Sequence, residues 1–461
     1  MPILAAFMVP HPPMIIPEIG RGTEIQIKET TYAYQRVARE VAALQPETII
    51  ISSPHSIMYS DYFHISPGKR AHGSFAAYRA KEIAFEEQYD TALIEQICLS
   101  ADKKGLAAGL LGERNPELDH GTMIPLYFIE KEYSGFNIVR IGLSGLPLTE
   151  HYRLGMAIQD AVEKTGRRTV YIASGDLSHK LQTYGPYGYA PEGPEYDNKI
   201  MECSERAAFG EYLEFEETFC DKAAECGHRS FVIMAGALDG RDVKAEKLSY
   251  QDVTGVGYGI CSFYPTGRDE KRHFLDQYLI NQSTTLKERR DQEDEFVRLA
   301  RTSVENYVLK HKKIIIPDWV SDELRDTKAG VFVSIHEHGR LRGCIGTILP
   351  AKDCIAEEII GNGISACSRD PRFSPVQKEE LAYLEISVDV LMPPERIDGP
   401  ECLDVKKYGV IVSNGSRRGL LLPDLDGVNT VEEQIEIARK KAGISQEEQV
   451  SLERFEVIRH Y

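Results

Sequence analysis

The chain has 461 residues, enough for two large domains or about three average ones, and 42% hydrophobic with 27% charged residues excludes global disorder. Basic residues number 54 and acidic residues 71, a formal charge of −17. Such a surface repels phosphate backbones and anionic lipid, so neither a nucleic-acid nor a membrane role is expected.

The N-terminus, Met1-Pro2-Ile3-Leu4, has no basic region, and its apolar run stops at Pro10-His11-Pro12-Pro13. No signal peptide is expected there, and no later run approaches the ~20 apolar residues of a membrane helix. The first part alternates β-rich runs with helical patterns, which predicts an α/β domain with a mixed central sheet flanked by helices. Predicted strands are Ile3–Val9, Thr48–Ser52, Ile138–Leu143, Val170–Ala173 and Val256–Phe263. Predicted helices cover 24–44, Glu195–Phe209 and Ser230–Leu238, the last stopped by Asp239-Gly240. Charge-rich, apolar-poor sequence then sets the boundaries: a first domain over 1–268, a linker over 269–289 and a second domain over 290–461.

The second domain opens with a helical stripe (Phe296, Leu299, Ala300, Val304, Tyr307, Val308) and becomes hairpin-rich, an α+β pattern. Val331–Ile335 and Leu341–Ile348 flank a His338-Gly339 turn, and Tyr408–Val412 and Leu420–Leu422 flank Asn414-Gly415. Thr430-Val431-Glu432-Glu433 reads as a capping box opening a helix to about Lys441, with Gly443 placed to end it. The nine cysteines contain no Cys-x-x-Cys pair. Their odd, scattered set predicts reduced thiols and a cytoplasmic location, and it leaves the Asn281 and Asn414 sequons as chance. A radical-SAM type iron–sulfur cluster is not encoded by this chain alone.

Three predicted strands run into histidines: His11 after Ile3–Val9, His55 in Ser52-Ser53-Pro54-His55, and His179 in Ser174-Gly175-Asp176-Leu177-Ser178-His179. Ligands of α/β sheets bind beyond the carboxyl ends of the strands, so three imidazoles delivered there predict a metal or proton-transfer site. Two imidazoles and one carboxylate leave open positions on ferrous iron, Fe(2+), for a chelating substrate and dioxygen. The third ligand is either Glu225 or Cys226 in Ala224-Glu225-Cys226-Gly227-His228. Glu225 completes a facial triad, whereas Cys226 gives a softer site suited to zinc (Zn) or copper (Cu). Asp176 is placed to orient His179, and His120 to donate to a substrate oxygen. His64, His72, His151, His228, His273, His311 and His460 have no such context and read as surface residues. Gly255-Val256-Gly257-Tyr258-Gly259 lacks the strand–loop–helix setting of a phosphate loop and reads as a closely packed strand.

In the second domain, Leu341-Arg342-Gly343-Cys344-Ile345-Gly346 is the most unusual string. Its glycines predict close backbone approach to a ligand or another strand. Cys344 as a nucleophile needs a base, with His336 the nearest in sequence, and Arg342 with Arg372 could hold a small anion or contact a partner.

These residues carry a resemblance. The first domain resembles the class III extradiol dioxygenase catalytic-subunit family and the related Memo proteins. The second resembles the AMME-syndrome candidate-region domain, whose hallmark is the string at 341–346. The two-domain arrangement resembles the AmmeMemoRadiSam system protein A family. The resemblance implies Fe(II) held by His11, His55 and Glu225, an acid/base His179, a substrate-contacting His120, and a small aromatic substrate of catechol or aminophenol type. Memo relatives carry Cys-Gly-Arg-His at the third-ligand position, which Cys226 matches better and which implies metal-binding, redox or adaptor work without ring cleavage. The family name also implies a separately made radical-SAM partner. Sheet proteins of this type often dimerise, so a homodimer is expected.

Overall fold

The computed structural model describes residues 3–337, 339–425 and 427–461. Met1-Pro2 of the N-terminal reading and His338 of the expected turn lie outside the described residues. Two compact units divide the chain, Met1–Ile280 and Asn281–Tyr461. The segment read as a linker is largely the helix Phe274–Gln292. Among the described residues no helix is long and apolar enough to cross a membrane.

The first unit is built on a six-stranded mixed sheet in the order Asn137–Gly142, Thr48–Ser53, Thr169–Ser174, Ile3–Val9, Tyr258–Arg268 and Arg241–Gln251. The first four strands run parallel, and the last two pair antiparallel. Thr48–Ser53 and Thr169–Ser174 are buried at every position, as their uninterrupted apolar and β-branched runs require of strands covered on both faces. Register fixes where they end: Val9 pairs with Ser174, and Ser52 with Ala173. The chain therefore leaves three adjacent strands at one common edge. Flanking helices include Lys28–Leu44, His120–Ile129, Leu148–Thr165 and His228–Ala237. Leu148–Thr165 and His228–Ala237 touch backbone to backbone, since a Cβ at Gly155 or Gly236 would lie 2.0 Å from Ile233 O or Tyr152 O.

The second unit has two four-stranded sheets. One runs Arg340–Gly346, Gly330–Glu337, Leu384–Leu391, Val457–His460, and the other Glu395–Ile397, Ser451–Phe455, Gly409–Asn414, Arg417–Leu421. Helices Glu295–Lys310 and Ile355–Ser368 share a core with the first sheet, and Val431–Ala442 with the second. Both bonds of the Thr430/Glu433 capping box form, and Gly443 closes that helix at φ 65°. The α/β plus α+β organisation expected from the sequence is the one observed.

Candidate metal centre

His11 leaves its strand between prolines, which cannot continue the ladder. It is buried, its backbone N–H donates to Asp176 Oδ1 at 2.7 Å, and Tyr34 OH donates to Pro10 O. Its ring is fixed by Ser174, whose Oγ lies 2.9 Å from Nδ1 and 2.6 Å from Gly121 O. A hydroxyl has one proton, and Gly121 O can only accept it. Ser174 Oγ must therefore accept from Nδ1–H, which leaves the Nε2 lone pair of His11 facing the site. This is the arrangement that orients a metal-binding imidazole.

Two groups meet that lone pair. His55 Nε2 is 3.0 Å from His11 Nε2, and Cys226 Sγ is 3.6 Å from it. A tetrahedral ion bonded to nitrogen at ~2.05 Å and sulfur at ~2.3 Å separates its donors by about 3.3 Å (N–N) and about 3.6 Å (N–S). The donors stand at close to those spacings, so the residues fit a metal ion. His55 is exposed, which opens the group to solvent, whereas Cys226 is half-buried.

Cys226 arrives by a close crossing of two backbones. A Cβ on Gly175 would lie 2.1 Å from the Cα of Gly227, so the 174–179 and 225–228 turns can touch only where both residues are glycine. Their contact is stitched by Asp176 N–H donating to Cys226 Sγ at 3.3 Å and by Gly227 N–H donating to Asp176 O at 3.1 Å. Burial pushes the Cys226 thiol well above its ordinary value. Glu225, its neighbour, turns away. Its Oε2 accepts from His228 N–H at 2.5 Å at the start of helix His228–Ala237, and it is not part of the His11–His55–Cys226 cluster.

The remaining predicted residues surround this group. His120 opens helix His120–Ile129, whose N-terminus is capped by Asp119, and its ring centroid lies 4.0 Å from His55 and 5.4 Å from His11. Burial, then the charges of His55 and His11, drop its pKa to about 3, and burial drops that of His11 to about 3. Asp176 Oδ2 sits 4.0 Å from both His11 Nε2 and His179 Nε2, and burial raises its pKa to about 6. His179 stacks on Tyr187 at 5.0 Å, burial lowers its pKa, and its buried Nε2 has no hydrogen-bond partner among the described residues. Asp176, His179 and Cys226 form a second cluster sharing the same thiol.

Sequence reasoning passed over Ser174 and Asp119. The first stands in the Ser-Gly-Asp string that leads to His179, and the second immediately precedes His120. Three histidines read as surface are instead buried: His64, His151 and His228. Each satisfies a ring nitrogen on a backbone carbonyl, of Leu111, Pro147 and Tyr212 respectively, which is what allows a neutral imidazole inside a core.

The residues singled out in the second unit are engaged with one another's neighbours. Arg342 is paired with Glu380 through two bonds of 2.6 and 3.2 Å, and Arg372 with Asp370 at 2.7 and 2.9 Å. Cys344 receives Ser334 Oγ at 3.3 Å, and its strand partner is Ser334, whereas His336 pairs with Leu341. The glycines of the string answer to packing: a Cβ on Gly343 would meet Ala366 O at 2.3 Å.

Comparison with known proteins matches residues 5–261 to the family described as the catalytic LigB subunit of aromatic ring-opening dioxygenase, and residues 297–460 to AMMECR1. A protein of Clostridium acetobutylicum is 42% identical over 462 residues, covering 98% of both chains. A protein of Thermotoga maritima is 50% identical over 171 residues, 36% of this chain and 98% of its own length. Among solved structures, an uncharacterized protein of Pyrococcus horikoshii is 35% identical, with a TM-score of 0.33, covering 36% of this chain and 88% of that one.

Proposed function

Because the chain belongs to the family of the catalytic LigB subunit of aromatic ring-opening dioxygenases, here joined to an AMMECR1 domain, we propose that its first unit is a metal-dependent oxidoreductase acting on a small catechol or aminophenol. The observation that carries this reading is the convergence of His11 Nε2, His55 Nε2 and Cys226 Sγ at the common strand edge. These three residues would hold the ion, Fe(II) in the oxygen-using reaction. When bound, the metal supplies a Lewis-acidic contact for two adjacent substrate heteroatoms and, as Fe(II), the electrons that let dioxygen react.

The protein's own side chains supply positioning and proton transfer. His179 is neutral at pH 7 because burial lowers its pKa, so its unpartnered Nε2 can accept a hydroxyl proton from the chelating substrate. Asp176, 4.0 Å away, stabilises the imidazolium so formed. Tyr187, stacked on the imidazole at 5.0 Å, helps hold the plane of that ring. His120, neutral for the same reason of burial, lies 4.0 Å from His55 between ring centroids and can donate or accept at the second substrate heteroatom.

The test is anaerobic Fe(II) reconstitution followed by titration with 4-nitrocatechol, then oxygen uptake with a panel of catechols and aminophenols. Chelation of the probe with oxygen consumed in proportion to substrate supports the reading. Probe binding without oxygen uptake on any member favours a second reading, in which a His2Cys centre holding zinc or copper does redox or adaptor work beside a separately made radical-SAM protein. Cys226 standing in the cluster, and Glu225 outside it, is the observation behind that alternative. No probe binding at all removes the aromatic substrate.

A further inference from the structure

Ser178, the residue before His179, is fully buried, and each of its polar groups is bonded. Its Oγ donates to Ala223 O at 2.8 Å and accepts from Lys180 N–H at 3.0 Å, and its carbonyl accepts from Gly257 N–H at 2.8 Å. Its own N–H donates to Asp197 Oδ1 at 2.8 Å. His179 N–H joins Ser178 Oγ on Ala223 O, at 3.3 Å. Ala223 ends the helix Glu217–Ala223, just before the turn that carries Cys226. One buried serine therefore ties the segment bearing the imidazole to the segment bearing the thiol, and Asp197 holds that serine by its peptide.

Asp197 comes from a separate element, helix Glu192–Glu205, and is 1% exposed. Its second oxygen, Oδ2, accepts from Tyr250 OH at 2.8 Å, on the edge strand Arg241–Gln251. Gly257 closes another side, since a Cβ there would lie 2.0 Å from Oδ2. Both oxygens are thereby fixed, and the carboxyl has little room to swing away from Ser178. Its partners are an amide and a phenol rather than a cation. Burial raises its pKa to about 7, so near neutrality it serves as a held acceptor more than as a charge. Packing alone would favour an apolar side chain at such a position, because a buried carboxyl without a cation costs free energy.

We propose that Asp197 is a positioning residue for His179. By holding the Ser178 peptide it aims the imidazole at the strand-edge cluster, and Tyr250 and Gly257 hold Asp197 in turn. The reading above contributes only that His179 is the group to be aimed. Without Asp197 a buried N–H loses its acceptor, and the peptide must turn to find another. That turn carries the His179 ring with it and changes the 4.0 Å separation of its Nε2 from Asp176 Oδ2.

The test treats the full chain, kept in chelator near neutral pH, with diethyl pyrocarbonate and reads the rate at each histidine by peptide mass spectrometry. In wild type His179 should react slowly, because its Nε2 is buried. His64 and His151, buried elsewhere in the same unit, serve as controls. Asp197→Ala is expected to speed His179 about tenfold, as loss of a hydrogen bond to a carboxylate predicts, and to leave both controls unchanged. Asp197→Asn should restore the slow rate, since its amide oxygen still accepts from Ser178 and its NH2 can donate to the Tyr250 oxygen. A merely space-filling role predicts no change at His179 in any variant that folds. The wild-type rate at His179 in Asp197→Ala overturns the proposal, and so does a rise shared by His64 and His151. Where Asp197→Ala does not fold, Gly257→Ala presses on the carboxyl from its other side. It should give the same selective rise, and the wild-type rate there is equally fatal. A selective rise at His179, with no 4-nitrocatechol bound by the Fe(II)-loaded wild type, leaves the positioning role standing and removes the aromatic reading.

Discussion

Cys226→Ser should weaken metal binding far more than Glu225→Gln, although the two residues are adjacent. Structural zinc bound by four protein ligands is worth about 10–16 kcal/mol, or about 3–4 kcal/mol per ligand. Loss of one donor at the His11–His55–Cys226 group therefore predicts roughly 100- to 1000-fold weaker binding. Glu225→Gln keeps an oxygen to accept His228 N–H and removes only a charge at a helix start. That change is worth about 0.3–1 kcal/mol of stability and less than about twofold in metal affinity. Competition with a chromophoric chelator for Co(II) or Zn(II) measures both constants, and the Co(II) protein reports the thiolate directly through its charge-transfer absorption. Wild type and Glu225→Gln should show that band, and Cys226→Ser should lack it. The reverse order of affinities, or a band that survives in Cys226→Ser, would refute Cys226 as the third ligand.

Asp176→Asn keeps an acceptor for His11 N–H but removes the charge 4.0 Å from both imidazoles; metal affinity should fall about 10- to 100-fold by the same chelator assay. Gly175→Ala places a methyl 2.1 Å from the Gly227 Cα, so the two turns must part. It should lower unfolding free energy by about 1–3 kcal/mol or more in denaturant titration, and with it the metal affinity. The third prediction concerns pH. Burial, then a hydrogen bond to Glu87 and its charge, raise the Glu130 carboxyl from its ordinary 4.5 to about 8. A raised carboxyl pKa favours folding while the group is protonated, so this contribution is complete below pH 4.5 and lost as pH rises through 8. The fall in melting temperature between pH 5 and pH 9 should therefore be smaller in Glu130→Gln than in wild type; an equal fall in both argues against a shared proton.

Much of the architecture was legible because period and composition act locally. Thr48–Ser53 and Thr169–Ser174 announce themselves as uninterrupted β-formers, and the Thr430/Glu433 box is a contact between residues three apart. Helix His120–Ile129 was not legible as a helix for a physical reason. Gly121 to Ile129 are all buried, so there is no polar face to make a 3.6-residue stripe, and Pro125 lies inside it. The helix Phe274–Gln292 fails in the opposite sense, since its charge-rich sequence buries only Leu275 and reads as a connector.

The site divides along the same line. That His11, His55 and His179 share an edge follows from parallel strands ending in register, a consequence of topology that strand order alone can suggest. The choice between Glu225 and Cys226 depends on something no local pattern carries. One residue step along a turn points a side chain to a different side, and which side faces the imidazoles is set by a crossing of two chain segments 50 residues apart. That crossing is possible because Gly175 and Gly227 both lack a Cβ. The two glycines thus decide the donor set from outside it: they bring Cys226 Sγ under Asp176 N–H and leave Glu225 to the helix start. Putting Glu225 in the place proposed for Cys226 therefore requires moving a backbone, so Cys226→Ser is expected not to be rescued by the carboxylate next door.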